Sequence, residues 1–234
     1  MATFLQLCQD VARESGVVPT IGDPQSVVGQ EGRLYRVVEW TQGAWADIQL
    51  QRTDWQWMQG DFEANTVAAT RFYDGAAMGI TRFSSWQWSG TGENEIFTIF
   101  DPVLGQATEG YLNVLDYDTF RRRAMIGAAV SETGMPAYVT VMPDGRLGFY
   151  PTPDRGYTIR GRYRKSNQIM TANADVPEMP VDFHAVIKWR ALIFLGQFDE
   201  AVNQQPMFGM EFTRIMNLLR GHQLPRPSLG GPLA

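Results

Sequence analysis

Apolar residues open the chain at helical spacing. Phe4, Leu7, Val11 and Ala12 recur every three or four positions, and Thr3 stands where an N-cap belongs. Gly16 ends this segment, and the Pro- and Gly-bearing run 17–24 reads as a loop. A second helix is expected over 31–58, where Leu34, Val37, Val38, Thr41, Trp45, Ile48 and Trp55 keep one face. Gly43 is tolerated inside it, and Gly60 with Asp61 stops it.

The period then changes to two. Strand-like runs cover 63–73, 80–88 and 95–100, and Asp116 is placed to cap a short helical turn over 116–123. The clearest hairpin joins 138–142 to 146–150 through Pro143-Asp144-Gly145, where proline presets φ and glycine takes the left-handed position. A further strand over 157–165 alternates, with Tyr157, Ile159 and Tyr163 on one face and Arg160, Arg162 and Arg164 on the other. After the turn-forming run 172–180, a helix is expected from about Val181, with Phe183, Val186, Ile187, Arg190, Ala191, Phe194 and Phe198 as its stripe. Pro206 breaks that pattern, and Phe208, Phe212, Ile215, Met216 and Leu219 mark a last helix.

Helices at both ends with strands between them predict a segregated α+β fold. The expected architecture is a helical bundle formed by the N- and C-terminal helices, with an inserted antiparallel β domain. Its divisions fall at 1–60, 61–170 and 171–220, followed by an extended tail over 221–234.

Composition narrows the function. The chain has 234 residues, enough for a sizeable core, and a net charge of −5, which is not the balance of a nucleic-acid binder. No run approaches the roughly 20 apolar residues of a membrane helix, and the first ten residues lack the basic start of a signal peptide. The single Cys8 excludes an internal disulfide, and His184 and His222 are too few for a multi-histidine metal centre. No Gly-x-Ser-x-Gly elbow exists, and the glycine-rich run 89–94 lacks the lysine of a phosphate loop. The close carboxylates Asp116/Asp118 and Glu93/Glu95 read as a cap and solvated strand positions. No catalytic residue, metal or cofactor is expected.

What stands out is arginine: eighteen of the twenty basic residues. Arg121, Arg122 and Arg123 form a cluster, and Arg160, Arg162, Arg164 and Lys165 form a strand stripe. Each set reads either as a solvated face or as a contact for phosphate or an acidic partner. Trp40 and Trp57 fall off the core stripe of the second helix, and such aromatics are enriched at interfaces.

Several segments, in order, resemble tailed-phage head-to-tail adaptor (connector or neck) proteins, similar to the tail tubular A proteins of podophages. They are Trp45 to Met58, Pro143-Asp144-Gly145-Arg146-Leu147 through Pro151-Thr152-Pro153, and Tyr157 to Tyr163. Asp175 to His184, Trp189-Arg190-Ala191 and Leu218 to Pro225 complete the set. The resemblance implies a structural virion protein of the neck, assembled in the host cytoplasm. It would form a ring, usually dodecameric, between the portal and a tail or nozzle protein. DNA would pass through the channel without sequence specificity, and no membrane is involved. Helices would meet the portal, and the tail carrying His222, Leu224, Pro225, Arg226, Pro227 and Leu229 would dock there. Arg121 to Arg123 and the 160–165 stripe would line the channel or a subunit interface. The alternative is a tail or fibre-attachment component whose β domain binds a protein or a glycan, with Phe83, Trp86 and Trp88 available to stack on sugars.

Overall fold

The computed structural model describes residues 1–15, 22–87, 96–198 and 205–223. The chain divides into two compact units, Met1–Met58 with Asn167–Ala234, and Gln59–Ser166.

In the first unit, helix α1 (Phe4–Glu14) starts with a capping box. The Gln6 amide donates to Thr3 Oγ1 at 3.2 Å and the Thr3 amide to Gln6 Oε1 at 2.9 Å, so two otherwise unpartnered donors are satisfied. Its buried face carries Phe4, Leu7, Cys8, Val11 and Ala12. Burial pushes the Cys8 thiol up to about 12, which leaves it uncharged and unreactive.

Helix α2 (Gly32–Leu50) ends eight residues before the expected Met58. The cause is Trp55. Its buried indole folds back and donates to the Ile48 carbonyl at 3.1 Å, one of the last carbonyls with no partner inside the helix. Trp57 therefore lies in a 3₁₀ turn, Gln56–Met58, and not on α2. The buried Gln49 amide of α2 grips the backbone of Gln168. Its Oε1 accepts from the Gln168 amide at 2.7 Å, and its Nε2 donates to the Gln168 carbonyl at 3.1 Å.

Helix α4 (Ala185–Phe198) follows a 3₁₀ turn at Val181–Phe183; α3 (Tyr117–Ala124) belongs to the second unit. It is rotated from the expected stripe. Leu192 and Leu195 are buried, Arg190 and Phe194 are half-buried, and Phe198 is exposed. The segment is apolar nearly all round, so its periodicity could not choose a face. Arg190 pairs with Asp47 at 2.8 Å and lies over the Phe194 ring. Helix α5 (Gln205–Gln223) holds Pro206 in its first turn, where the missing N–H has no partner to lose. It also takes in Gly221, His222 and Gln223, which were expected to belong to the tail; the rest of that expected tail, 224–234, lies outside the described residues. Residues of α1, α2, α4 and α5 share one hydrophobic core.

The second unit is built from two sheets. In the first, β9 (Thr158–Lys165) runs antiparallel to β1 (Gln59–Asn65) along its whole length. Its other side takes β3 (Phe83–Trp86) at one end and β4 (Thr98–Phe100) at the other, and β5 (Gly110–Tyr111) extends β4. The second sheet has the order β2 (Phe72–Tyr73), β8 (Leu147–Tyr150), β7 (Tyr138–Val141), β6 (Asn113–Val114). The β7–β8 hairpin turns at Gly145, at φ 82°. The β6–β7 pair is parallel, a departure from the all-antiparallel expectation. Strands of both sheets contribute to one core that includes Phe62, Trp86, Phe97, Phe149 and Ile159. Helix α3 (Tyr117–Ala124), capped by Asp116, buries Phe120 and Ala124 against Tyr150.

Two cross-strand pairs of β1 and β9 match a glycine with an aromatic ring: Gly60 with Tyr163, and Gly161 with Phe62. A Cβ on Gly161 would sit 2.5 Å from the ring of fully buried Phe97. A Cβ on Gly60 would meet the end of the half-exposed Tyr163 ring at 2.7 Å. Gly161→Ala is therefore expected to destabilise the unit by about 1–3 kcal/mol, and Gly60→Ala by less, because Tyr163 can swing outward. Denaturant titration of both variants checks the order.

His184 gives a second test. Its ring is buried, with Nε2 3.1 Å from the Met179 carbonyl, and burial holds its pKa below the ordinary 6.5. The folded chain keeps it neutral, whereas the unfolded chain takes up a proton below about 6.5. Stability falls as the pH drops below that value. His184→Gln should remove this part of the pH slope of unfolding free energy between pH 7 and 5.

Candidate interaction surfaces

The β9 stripe is matched by acids. In the β1–β9 register, Asp61 lies opposite Arg162 and Glu63 opposite Arg160. Arg160 Nε reaches Glu63 Oε2 at 2.7 Å, its Nη1 reaches Glu109 Oε2 at 3.0 Å, and its guanidinium lies over Phe100. Arg162 Nε reaches Asp61 Oδ1 at 3.1 Å. The Thr98 hydroxyl donates to Glu109 at 2.6 Å and, with Gln106 and Arg160, holds that carboxyl below the usual carboxylate range. Residues of this ladder line a depression of about 440 Å³ with Phe62, Ile96 and Gly161. The two arginines thus face three carboxylates. Arg164 and Lys165 occupy the end of the strand opposite β3. The acids were the missed partners. Their signal is visible only in retrospect, as the alternation Asp61-x-Glu63 that mirrors Arg160-x-Arg162.

The Arg121 to Arg123 cluster is arranged differently. It forms the exposed last turn of α3, where positive charge faces the negative helix end. Arg122 donates to Thr119 Oγ1 at 3.0 Å and Arg123 lies 4.0 Å over the Tyr138 ring. Among the described residues, no carboxylate lies within ion-pair distance of these three.

Arg71 was also missed. Its Nη1 donates to the Ala124 carbonyl at 2.6 Å, which caps α3, and its Nη2 to the Ala129 and Val130 carbonyls at 3.2 and 3.1 Å. Its Nε donates to Thr152 Oγ1 at 2.8 Å. Burial lowers its pKa, yet a guanidinium stays charged, so the cation is held by backbone carbonyls. A lone arginine after Thr70 carries no sequence signal for such contacts, because they come from three separate segments.

The two tryptophans pack within their own unit. Trp40 is half-buried, 5.6 Å from the Phe198 ring, and Trp57 stacks on Trp55 at 4.4 Å. Trp86 is buried and donates its indole N–H to the Gly145 carbonyl at 2.7 Å, and Phe83 packs 4.5 Å from it. Buried Trp86 presents no free face to a sugar, Phe83 is half-buried, and Trp88 lies outside the described residues. His222 stands in the last turn of α5, 5.3 Å from Phe183 and bonded to the Gln223 amide. Leu224, Pro225, Arg226, Pro227 and Leu229 lie outside the described residues. Among the described residues, no three His, Cys, Asp or Glu side chains gather as a metal site, and no helix is long and apolar enough to cross a membrane.

The SU10 adaptor protein family model matches residues 2–233, and the chain belongs to that family. It is a bacteriophage adaptor, a structural protein of the virion that associates with other head and tail proteins. Comparison with curated proteins gives no match.

Arg71→Ala is expected to destabilise the second unit by on the order of 2 kcal/mol, since it removes charged donors and leaves the Ala124 carbonyl uncapped. Arg71→Lys should rescue only part of this, because a point charge cannot reach three segments at once. Thermal unfolding of the two variants checks both.

Proposed function

We propose that this adaptor assembles as a dodecameric ring at the virion neck, joining the portal to a tail or nozzle protein, with DNA passing through its channel. The observation that carries the reading is the family match over nearly the whole chain. The resemblance in segment order to tail tubular A proteins, read from the sequence, is consistent with it. In this reading no catalysis is required, and the alternative as a glycan-binding fibre component loses support with the burial of Trp86.

The arginines take different parts in the proposal. Arg160 and Arg162, already neutralised by Glu63, Glu109 and Asp61, suit a channel wall or subunit contact that does not hold DNA. Each unneutralised arginine on a phosphate would add a salt-dependent brake. The segment after Gln223, with His222 at its root, is assigned to portal docking.

Two measurements test the reading. Quantitative mass spectrometry of purified virions should give this chain and the portal equal copy numbers, and absence of the chain from the particle would refute the structural role. Truncation after Gln223 should leave the unfolding transition of the helical unit in place and weaken attachment to purified portal rings by at least about tenfold. Undiminished attachment would refute the docking assignment.

A further inference from the structure

Four connections meet at one end of the β unit. They are residues 66–71 after β1, 101–105 after β4, 124–135 after α3, and 151–157 before β9. The last of these is the hub. Thr152 accepts from Arg71 Nε, its carbonyl accepts from the Gly134 amide at 2.9 Å, and its amide donates to the Glu132 carbonyl at 3.0 Å. The Pro153 carbonyl accepts from the Ala69 amide at 2.8 Å. The Arg155 carbonyl accepts from Thr66 Oγ1, and its side chain pairs with buried Asp101 at 2.5 Å. The β1–β9 register puts these loops at the Asn65–Thr158 end of the sheet. The chain enters and leaves the unit at the other end, seven residues and roughly 20 Å away along β1.

This end is held by hydrogen bonds and an ion pair, yet it shows aliphatic side chains to water. Val67, Val103, Leu104, Ile126, Val130 and Met135 are all exposed there, Val103 at 81% and Leu104 at 67%. Scattered single apolar residues need no explanation, but six on three loops tied together through the fourth form a patch. Beside it stands the last turn of α3, whose three arginines make no ion pair with a described carboxylate, although Thr119, by hydrogen bonding, and Arg122, by its charge, help to lower the pKa of Asp116.

We infer that this loop end is a docking surface for a partner protein whose own contact face is apolar and bordered by carboxylates. The inference deepens the head-to-tail reading and rests on it for the partner's presence in the particle. Three occupants can be compared. DNA would engage the arginines, but aliphatic side chains gain nothing against a phosphate backbone. A second copy docking through the same end would set arginine cluster against arginine cluster, which is repulsive. Among the exposed carboxylates elsewhere on the chain, Asp61, Asp144 and Glu211 already hold arginines of their own, which leaves a second copy fewer acids to offer. An acidic-rimmed apolar face on a different protein satisfies both halves of the surface. Its arginine contacts would set register and approach, and burial of the aliphatics would supply the affinity.

The test uses the full chain in assembled particles. Leu104 is replaced by photoreactive p-benzoylphenylalanine, virions are purified and irradiated, and cross-linked peptides are sequenced. The expected result is a cross-link to a different virion protein, at a segment that combines aliphatic residues with Asp or Glu. Adding R121E, R122E and R123E should lower its yield about tenfold while the copy number of this chain in the particle stays at the wild-type level. Cross-links to a second copy or to DNA, no cross-link, or a yield indifferent to charge reversal would each overturn the inference and leave the neck assignment intact. If the chain is missing from wild-type particles, the head-to-tail reading itself fails, and this inference with it. Because α3 is exposed along that turn, the triple variant should fold, and its unfolding transition is measured alongside. Should it fail to fold, L104D with V130D replaces it, with the same loss of cross-link expected from Val103→p-benzoylphenylalanine.

Discussion

The antiparallel pairing of β1 with β9 is the constraint on which the inserted unit depends. It joins segments nearly a hundred residues apart, Gln59 to Arg164 at one end and Asn65 to Thr158 at the other. Closing so long a loop costs entropy that only the contacts formed afterwards can offset. In return, the two places where the chain crosses between units are brought side by side. A domain can be inserted into a helical unit without disturbing it only if its ends meet in this way. Gln49 does the corresponding work on the helical side, where its buried amide fixes the backbone of Gln168 as the chain returns.

The same pairing decides where charge appears. Alternation along β1 and β9 sends Phe62 and Ile159 into the core and puts Asp61, Glu63, Arg160 and Arg162 on the opposite face. The exposed ion pairs themselves contribute at most about 1 kcal/mol each. Their larger effect is on register. A slip of one residue would turn the arginines toward Phe97 and lose the glycine openings at Gly60 and Gly161. Charge spent by Arg160 and Arg162 in this way is unavailable to ligands, whereas the α3 arginines make no ion pair with a described carboxylate.

Much of this was legible in the chain before folding. Thr3 and Asp116 announce their helices, Pro143-Asp144-Gly145 its hairpin, and the alternation of 157–165 its strand, because each signal acts over a few residues. Signals that depend on distant partners were not legible. The end of α2 is set by Trp55 folding back, with no Gly or Pro to mark it. The face of α4 is chosen by its neighbours, since the segment is apolar all round. The arginine stripe looked like a basic surface because its carboxylates lie about fifty residues upstream, at Glu109, and about a hundred, at Asp61 and Glu63. The loop end of the β unit, with Arg71 tying three segments together, has no sequence signature at all.

The central claim is that β1–β9 closure makes residues 59–166 a self-contained unit. It is tested most directly by producing that segment alone and following its unfolding by near-ultraviolet circular dichroism and amide hydrogen exchange. The account predicts a cooperative transition, with the amides of β9 among the slowest to exchange. A segment that lacks fixed aromatic signals, or whose β9 amides exchange as fast as its loops while the β7–β8 hairpin stays protected, would contradict it.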